Sequence, residues 1–239
     1  MQEFYSHGKL LISAEYAILD GAKALALPTK LGQRLQVTKT NTEYILWKSF
    51  DYQNNLWFET TLSTTDFKPS TANPISERLS QCFQAVHELQ PKLFESQKGL
   101  EFISYLEFPQ NWGLGSSSTL INNLAQWAKV DAFELLENTF GGSGYDVGCA
   151  QHSKPIFYQR QNNTPHIEIV DFDPPFKDQL FFVHRNQKQN SREAIAAYEA
   201  LKKGEKLDFS ELNAITDDLS QTSTLEAFES LIIQHEILI

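Results

Sequence analysis

The chain has 239 residues, 41% of them hydrophobic, so it is long enough to bury one large core or two modest ones. Its formal net charge of −10 and its pI near 5.1 argue against nucleic acid or an anionic membrane surface as the main partner. The sequence has no apolar run of about 18 residues and no charged leader before an apolar segment, so we expect neither membrane insertion nor secretion. Cys82 and Cys149 lack metal or redox spacing, which fits packed, inert thiols in a reducing cytoplasm.

The N-terminal part of the sequence predicts strands followed by a helix. Residues 3–38 have strand character, and two alternating runs, 43–50 and 56–62, flank a polar segment and predict a hairpin. A helix is predicted between Asn73, a favourable N-cap, and Pro91. The aromatic residues of the hairpin fit packing on a sheet face better than the lining of a ligand cleft; they are Trp47, Phe50, Trp57 and Phe58.

The segment 109–119 is the strongest candidate for a ligand site. It follows an alternating run that predicts a strand, it contains Gly113 and Gly115, and its serines lead into a helical pattern. Strand, glycine-serine loop and helix is the order of an anion site, because free backbone N–H groups and the helix dipole favour phosphate. The loop is neither a Walker A nor a Rossmann sequence. Taken alone, an ordinary strand-to-helix turn is the competing interpretation.

The C-terminal half predicts further helices and strands. Asp131 begins a short helix with a capping box, and Asp146 then falls in a glycine-rich turn. Residues 154–172 predict a second hairpin, and residues 180–184 predict a strand. Three more helices are predicted to begin near Asn190, Asp208 and Thr224.

Three segments together resemble the GHMP kinases, the family of galactokinase, homoserine kinase, mevalonate kinase and phosphomevalonate kinase. They are His7-Gly8-Lys9 with Ala14-Glu15-Tyr16, Pro109 to Ser118, and Ser143-Gly144-Tyr145-Asp146-Val147-Gly148. The last segment is similar to the Gly-Tyr-Asp-Ile-Ala signature of a bacterial mevalonate-kinase-like branch. The resemblance implies a two-lobed α+β fold. A ribosomal-protein-S5-domain-2-like N-terminal lobe would span 1–174, and a partial ferredoxin-like C-terminal lobe would span 175–239.

The resemblance also implies roles for individual residues. Asp146 would be the base, or the orienting acceptor, for the substrate hydroxyl, and Lys9 beside it would stabilise charge on the phosphoryl group. The Ser117 hydroxyl would be a magnesium ligand. The ATP phosphates would be held by Gly113, Leu114, Gly115, Ser116, Ser117 and Ser118. Turn chemistry for Asp146 and simple solvation for Lys9 are the alternatives.

Four further assignments have strong competing explanations. Glu15 would support the site or form a structural ion pair, and Tyr16 stands where the family has a histidine that faces the acceptor. Glu137 would be the second magnesium carboxylate or a solvated helix residue, and its spacing to Asp146 is shorter than in mevalonate kinases. Ser191 and Arg192 would face the substrate, although a capping box also explains the serine.

The predicted function is ATP- and magnesium-dependent phosphorylation of a small-molecule alcohol, most similar to mevalonate. The alternatives are a sugar or phosphomevalonate kinase, or a catalytically silent nucleotide-binding fragment, because no third glycine-rich motif follows Gly204. Ala14 and Tyr16 depart from the family pattern, so the acceptor stays open. The apolar C-terminal helix indicates a truncated lobe, and its exposed residues would favour another chain, such as in a homodimer.

Overall fold

The structure is a computed structural model that describes residues 1–95, 99–162, 164–185, 196–198, 200 and 207–239. These ranges form a mixed α+β fold in which one mixed sheet is covered by helices. None of the helices in these ranges has the length and apolar content needed to cross a bilayer.

The sheet contains seven strands within the described ranges. They are β1 (Gln2–Leu11), β2 (Ala24–Thr40), β3 (Tyr44–Phe50), β4 (Leu56–Ser63), β5 (Gly99–Leu106), β6 (Ile156–Gln161) and β7 (Thr164–Ile169). Their order is β4-β3-β5-β2-β6-β7, with β1 paired to β2. Only the β3–β5 pair among these is parallel, and both predicted hairpins, β3–β4 and β6–β7, are confirmed.

Seven α-helices have both ends within the described ranges, and residues 196–198 and 200 are helical as well. The seven are α1 (Pro74–Leu89), α2 (Lys92–Glu95), α3 (Ser116–Ala128), α4 (Ala132–Glu137), α5 (Tyr145–Gln151), α6 (Ser210–Gln221) and α7 (Leu225–Leu238). Several begin where the sequence predicts. Asn73 accepts hydrogen bonds from the first turn of α1, and Asp131 caps α4 in the same way. The Thr224 side chain accepts from the Ala227 N–H at the start of α7.

The larger core lies between α1, α3, α4 and the sheet. Its centre is aromatic: Trp47 is only 2% exposed and stacks on Phe102 with 5.5 Å between ring centroids, and Phe83 packs edge-on against the same ring. The prediction that the hairpin aromatics pack on a sheet face is therefore confirmed for Trp47. Cys82 is buried in this core, and burial raises its pKa to about 12, as expected for an inert thiol.

The C-terminal helices pack against the start of β2. Leu25 packs with Ile215 and Phe228 of α6 and α7, and Ala24 shares a second cluster with Tyr145 of α5 and Leu212 of α6. Helix α6 therefore contributes to both clusters. The C-terminal segment is thus joined to the strands that carry the site.

Two of the expected local structures differ in the structure. Asp146 is not in a turn: the glycine-rich turn ends at Gly144, and Asp146 is the second residue of α5. The strand predicted at 180–184 is wrong, because this segment has no regular structure and pairs with no described strand. The helix predicted from Asn190 lies largely outside the described residues. The division into lobes at residue 175 stays a prediction.

Candidate active site

The loop between β5 and α3 has the form that a phosphate site requires. A single turn of 3-10 helix, Gln110–Trp112, is followed by Gly113 and Gly115 with φ of 73° and 84°, and α3 begins at Ser116. Both angles lie in the left-handed region that glycine adopts most easily. A Cβ atom on Gly113 would meet nothing within 4 Å, so the loop is open on that side. The first N–H groups of α3 lack acceptors within the helix and can bind an anion.

The serines that begin α3 differ in exposure. Ser116 is half-buried, Ser117 is exposed, and Ser118 is buried. Ser117 is therefore the hydroxyl in the first turn that is most accessible to a ligand or metal. Leu114 is buried against Leu106 and Phe108 and anchors the loop to the end of β5.

Strand β1 approaches this loop closely at Gly8 and Lys9. The Lys9 N–H donates a hydrogen bond of 3.0 Å to the Leu114 carbonyl. A Cβ on Gly8 would lie 2.9 Å from that same oxygen, and a Cβ on Gly115 would lie 3.0 Å from Lys9 Cγ. The two glycines therefore allow the lysine to pass directly over the loop.

Lys9 and Asp146 form an ion pair beside the loop. The Lys9 Nζ lies 3.2 Å from Asp146 Oδ1 and donates a hydrogen bond of 2.5 Å to the Tyr145 hydroxyl. Burial opposes the charged form of Lys9, but the Asp146 carboxylate outweighs that effect, and the pKa of Lys9 lies above its usual value. Burial and the neighbouring carboxylates raise the pKa of Tyr145 well above its usual value, so its hydroxyl stays protonated.

Asp146 stays partly accessible although it pairs with Lys9. Its Oδ1 atom is buried and has the Lys9 ammonium as its charge partner, whereas the side chain as a whole is 35% exposed. The exposed part of the carboxylate can accept a hydrogen bond from a ligand. Tyr158 fixes the turn before Asp146, because its hydroxyl donates a hydrogen bond to the Ser143 carbonyl. A Cβ atom on Gly144 would lie 2.8 Å from the same hydroxyl oxygen.

A buried polar network holds α3 against β1 and β2. Thr119 donates to the Gln33 side chain at 2.6 Å, and Asn123 donates to the Gln33 carbonyl at 2.9 Å. Ser6 donates to Asn123 at 2.8 Å and accepts from Asn122 at 2.9 Å. None of these residues is among the predicted site residues. The sequence does show polar side chains on the buried face of α3, and this pattern indicates a buried polar network. They fix the position of α3, whose first turn follows the glycine-serine loop.

Other predicted site residues lie at the edge of this arrangement. Partial burial raises the pKa of Glu15; Lys9 lowers it, and Asp146 and Glu236 raise it further. Tyr16 follows in the same turn and stacks on Tyr198 with 6.0 Å between ring centroids. Ser191 and Arg192 lie outside the described residues, so their assignment stays a prediction.

The residues present suit phosphates better than a protein-held metal. Glu137 is exposed at the end of α4 and makes no hydrogen bond or ion pair with the described residues. Within the described part of the chain, no group of three or more His, Cys, Asp or Glu side chains could hold a metal ion. The metal assignments to Ser117 and Glu137 remain predictions. The open glycine loop and the partly exposed Asp146 carboxylate fit ATP and a hydroxyl donor.

Similar solved structures have the same fold. The Methanococcus jannaschii mevalonate kinase matches with a TM-score of 0.67 and 16% identity, over 98% of this chain and 77% of that one. A Streptococcus pneumoniae phosphomevalonate kinase, in complex with phosphomevalonate and AMPPNP, matches with a TM-score of 0.64 and 14% identity, over 98% and 77%. A Lactococcus lactis galactokinase complexed with galactose matches with a TM-score of 0.56 and 17% identity, over 98% and 65%.

Sequence comparison adds nothing to this, since no family model matches the chain and no curated protein matches it. The identities are low, and the likeness concerns the fold. Mevalonate kinase, phosphomevalonate kinase and galactokinase are all GHMP kinases. The fold that the three motifs implied is therefore confirmed, and the chain has the GHMP kinase fold.

Proposed function

We propose that this protein transfers a phosphoryl group from ATP to the hydroxyl of a small molecule. One observation carries the proposal: Lys9 extends along Gly115 of the glycine-serine loop and forms an ion pair with Asp146, whose side chain is 35% exposed. Phosphoryl transfer requires positioning of the acceptor and neutralisation of charge, and this pair offers both beside a phosphate loop.

Each residue has a distinct part in the proposed reaction. The N–H groups at the start of α3 would hold the phosphates, and Ser117 would present its hydroxyl to them or to a metal. Asp146 would accept the hydrogen bond, and then the proton, of the acceptor hydroxyl. Lys9 would pair with Asp146 and stabilise charge on the transferring group. Magnesium bound with ATP would supply further neutralisation of the phosphate charge.

The acceptor that we favour is mevalonate-like. The presence of both Lys9 and Asp146 supports this chemistry, and mevalonate kinases are among the similar structures. A phosphomevalonate or sugar kinase is the second candidate, since these kinases also share the fold. Ala14 and Tyr16 differ from the mevalonate kinase pattern, and both belong to the turn beside Asp146, so acceptor recognition is the part most open to change.

The test measures ATP binding and ADP release with magnesium against mevalonate, phosphomevalonate, galactose and homoserine. Acceptor-dependent ADP release would support the kinase, and Asp171→Asn, at an exposed position, should leave it unchanged. ATP binding without ADP release on any acceptor would favour the catalytically silent nucleotide-binding alternative. Absence of ATP binding would contradict the proposal.

A further inference from the structure

The turn after β1 holds two side-chain-bearing residues in an unfavourable backbone conformation. Ala14 and Tyr16 have φ of 64° and 60°, in the left-handed region that residues with a Cβ rarely adopt. Such residues persist where the surrounding structure determines the conformation. Glu15 lies between them, and the charges of Lys9 and Asp146 both act on its carboxyl group. Whatever holds this turn therefore also sets where Glu15 stands.

The two C-terminal helices hold the turn from the far end of the sequence. The Ala14 N–H donates a hydrogen bond of 2.7 Å to Nε2 of His235 on α7, and the His235 side chain is only 2% exposed. One residue earlier, Ser13 receives a hydrogen bond of 3.0 Å from Thr216 on α6. The Leu25 N–H also donates to the Ser13 hydroxyl at 2.9 Å. Two consecutive residues of the turn are thus tied to α6 and α7.

The hydrogen bond from Ala14 determines the chemical state of His235. Because a backbone N–H can only donate, Nε2 must be unprotonated, and the proton of the neutral ring must be on Nδ1. That nitrogen lies 3.3 Å from Glu236 Oε1, an acceptor that stabilises this tautomer. A doubly protonated ring would have no acceptor for Ala14.

We propose that neutral His235 is a positioning residue for the active site. It fixes the Ser13–Tyr16 turn through Ala14, and Ala14 packs in the same buried cluster as Tyr145, the hydrogen-bond partner of Lys9. The same turn carries Glu15. The catalytic consequence rests on the proposed kinase function, whereas the positioning itself does not. Helix α7 therefore helps to set the geometry of the site, although it contributes no side chain to the glycine-serine loop.

The chain offers variants that separate this role from simple support of the fold. His235→Leu removes the acceptor, and His235→Gln can return an oxygen to the place of Nε2. Phe228→Leu is the matched control: Phe228 is also buried on α7, but its ring packs on Phe172 and Phe176 and has no polar atom that could bond to the turn.

The first measurement is backbone amide hydrogen exchange by NMR, with the Leu35 amide of β2 as an internal reference for global opening. We expect protection of Ala14 to fall about tenfold more than that of Leu35 in His235→Leu, as for loss of one hydrogen bond. In Phe228→Leu, the protection of the Ala14 amide should fall only as much as that of the Leu35 amide. In His235→Gln, the protection of Ala14 should be largely restored. The ¹⁵N shifts of His235 in the parent chain should be those of the neutral Nδ1–H tautomer.

The active-site arm uses both chemical shifts and turnover. His235→Leu should shift the amide signals of Glu15 and Lys9, and with an active acceptor it should raise the acceptor KM about tenfold while the ATP KM stays within twofold. Equal effects in His235→Leu and Phe228→Leu would overturn the proposal, as would an Nε2–H tautomer. Failure to find any turnover would count against the kinase function alone, because the exchange and shift results still decide the positioning role.

Discussion

Gly115 and Lys9 are in direct contact: a Cβ on Gly115 would lie 3.0 Å from Lys9 Cγ and 3.6 Å from its Cε. Gly115 of the glycine-serine loop therefore forms the surface along which the Lys9 side chain extends. This contact links the first and second motifs, which are about a hundred residues apart in the sequence.

Gly115→Ala should displace Lys9 as well as strain the backbone. Gly141→Ala is the matched control, because Gly141 has φ of 65° and no atom within 4 Å of a Cβ. Each change should cost about 1 kcal/mol of stability from the left-handed backbone. Only Gly115→Ala should also lower turnover, by about tenfold or more. Equal turnover in the two variants, measured beside thermal unfolding, would show that the contact is not important.

Lys9→Met should destabilise the protein in a pH-dependent manner. The pKa of Lys9 is raised in the folded state, so its stabilising contribution is fully present below the ordinary lysine pKa of about 10.4 and is lost as pH rises through the higher folded value. Urea unfolding of the parent and Lys9→Met chains should therefore differ most at pH 7 to 9 and converge at more alkaline pH. A difference that remained as large at alkaline pH as at pH 7 to 9 would argue against the ion pair as its source.

Glu15→Gln should stabilise the protein at neutral pH. The folded-state pKa of Glu15 is raised, mainly by partial burial, so the fold disfavours its ionised form. This cost is present above the folded pKa and disappears as pH falls below the ordinary glutamate value of about 4.3. Thermal unfolding should show a higher midpoint for the variant at pH 7 and no difference at pH 3.5. A lower midpoint at pH 7 would indicate a favourable ion pair instead.

Tyr145→Phe should loosen Lys9 without removing its charge partner. The variant loses the 2.5 Å hydrogen bond from Lys9 Nζ but keeps the ring, which lies 4.9 Å from that nitrogen. A hydrogen bond to a charged group contributes about 1.5–3 kcal/mol, so turnover should fall about tenfold or more. ATP affinity should be unchanged, as measured by calorimetry. Unchanged turnover would show that the Tyr145 hydroxyl has no role in the reaction.

The sequence predicted the parts of the site that local patterns encode. The glycine-serine loop and its helix could be recognised from adjacent residues, and the family motifs indicated that Lys9 and Asp146 meet. The sequence did not indicate Tyr145 as the hydrogen-bond partner of Lys9, from which it is separated by 136 positions. Nor did it indicate the contact of Ala14 with His235, which spans 221 positions. Such contacts depend on how distant elements pack, and no local pattern records them.

The errors have a similar cause. Residues 180–184 carry apolar side chains typical of a strand, but a strand needs a neighbour, and no described strand lies beside them. The glycines on both sides of Asp146 predict a turn at this residue. The left-handed φ of 89° at Gly144 completes that turn one residue before α5, and Asp146 is helical as a result.

The most direct test of the central claim compares the parent chain with Asp146→Asn, which keeps the shape of the side chain and removes its charge. The measurement is the rate of acceptor-dependent ADP release at saturating magnesium-ATP, together with the Kd for ATP. The proposed role predicts a rate at least 10²-fold lower, as for loss of a general base, with the Kd for ATP within about twofold of the parent. A rate within about threefold of the parent would contradict the assignment of Asp146 as the group that receives the acceptor proton.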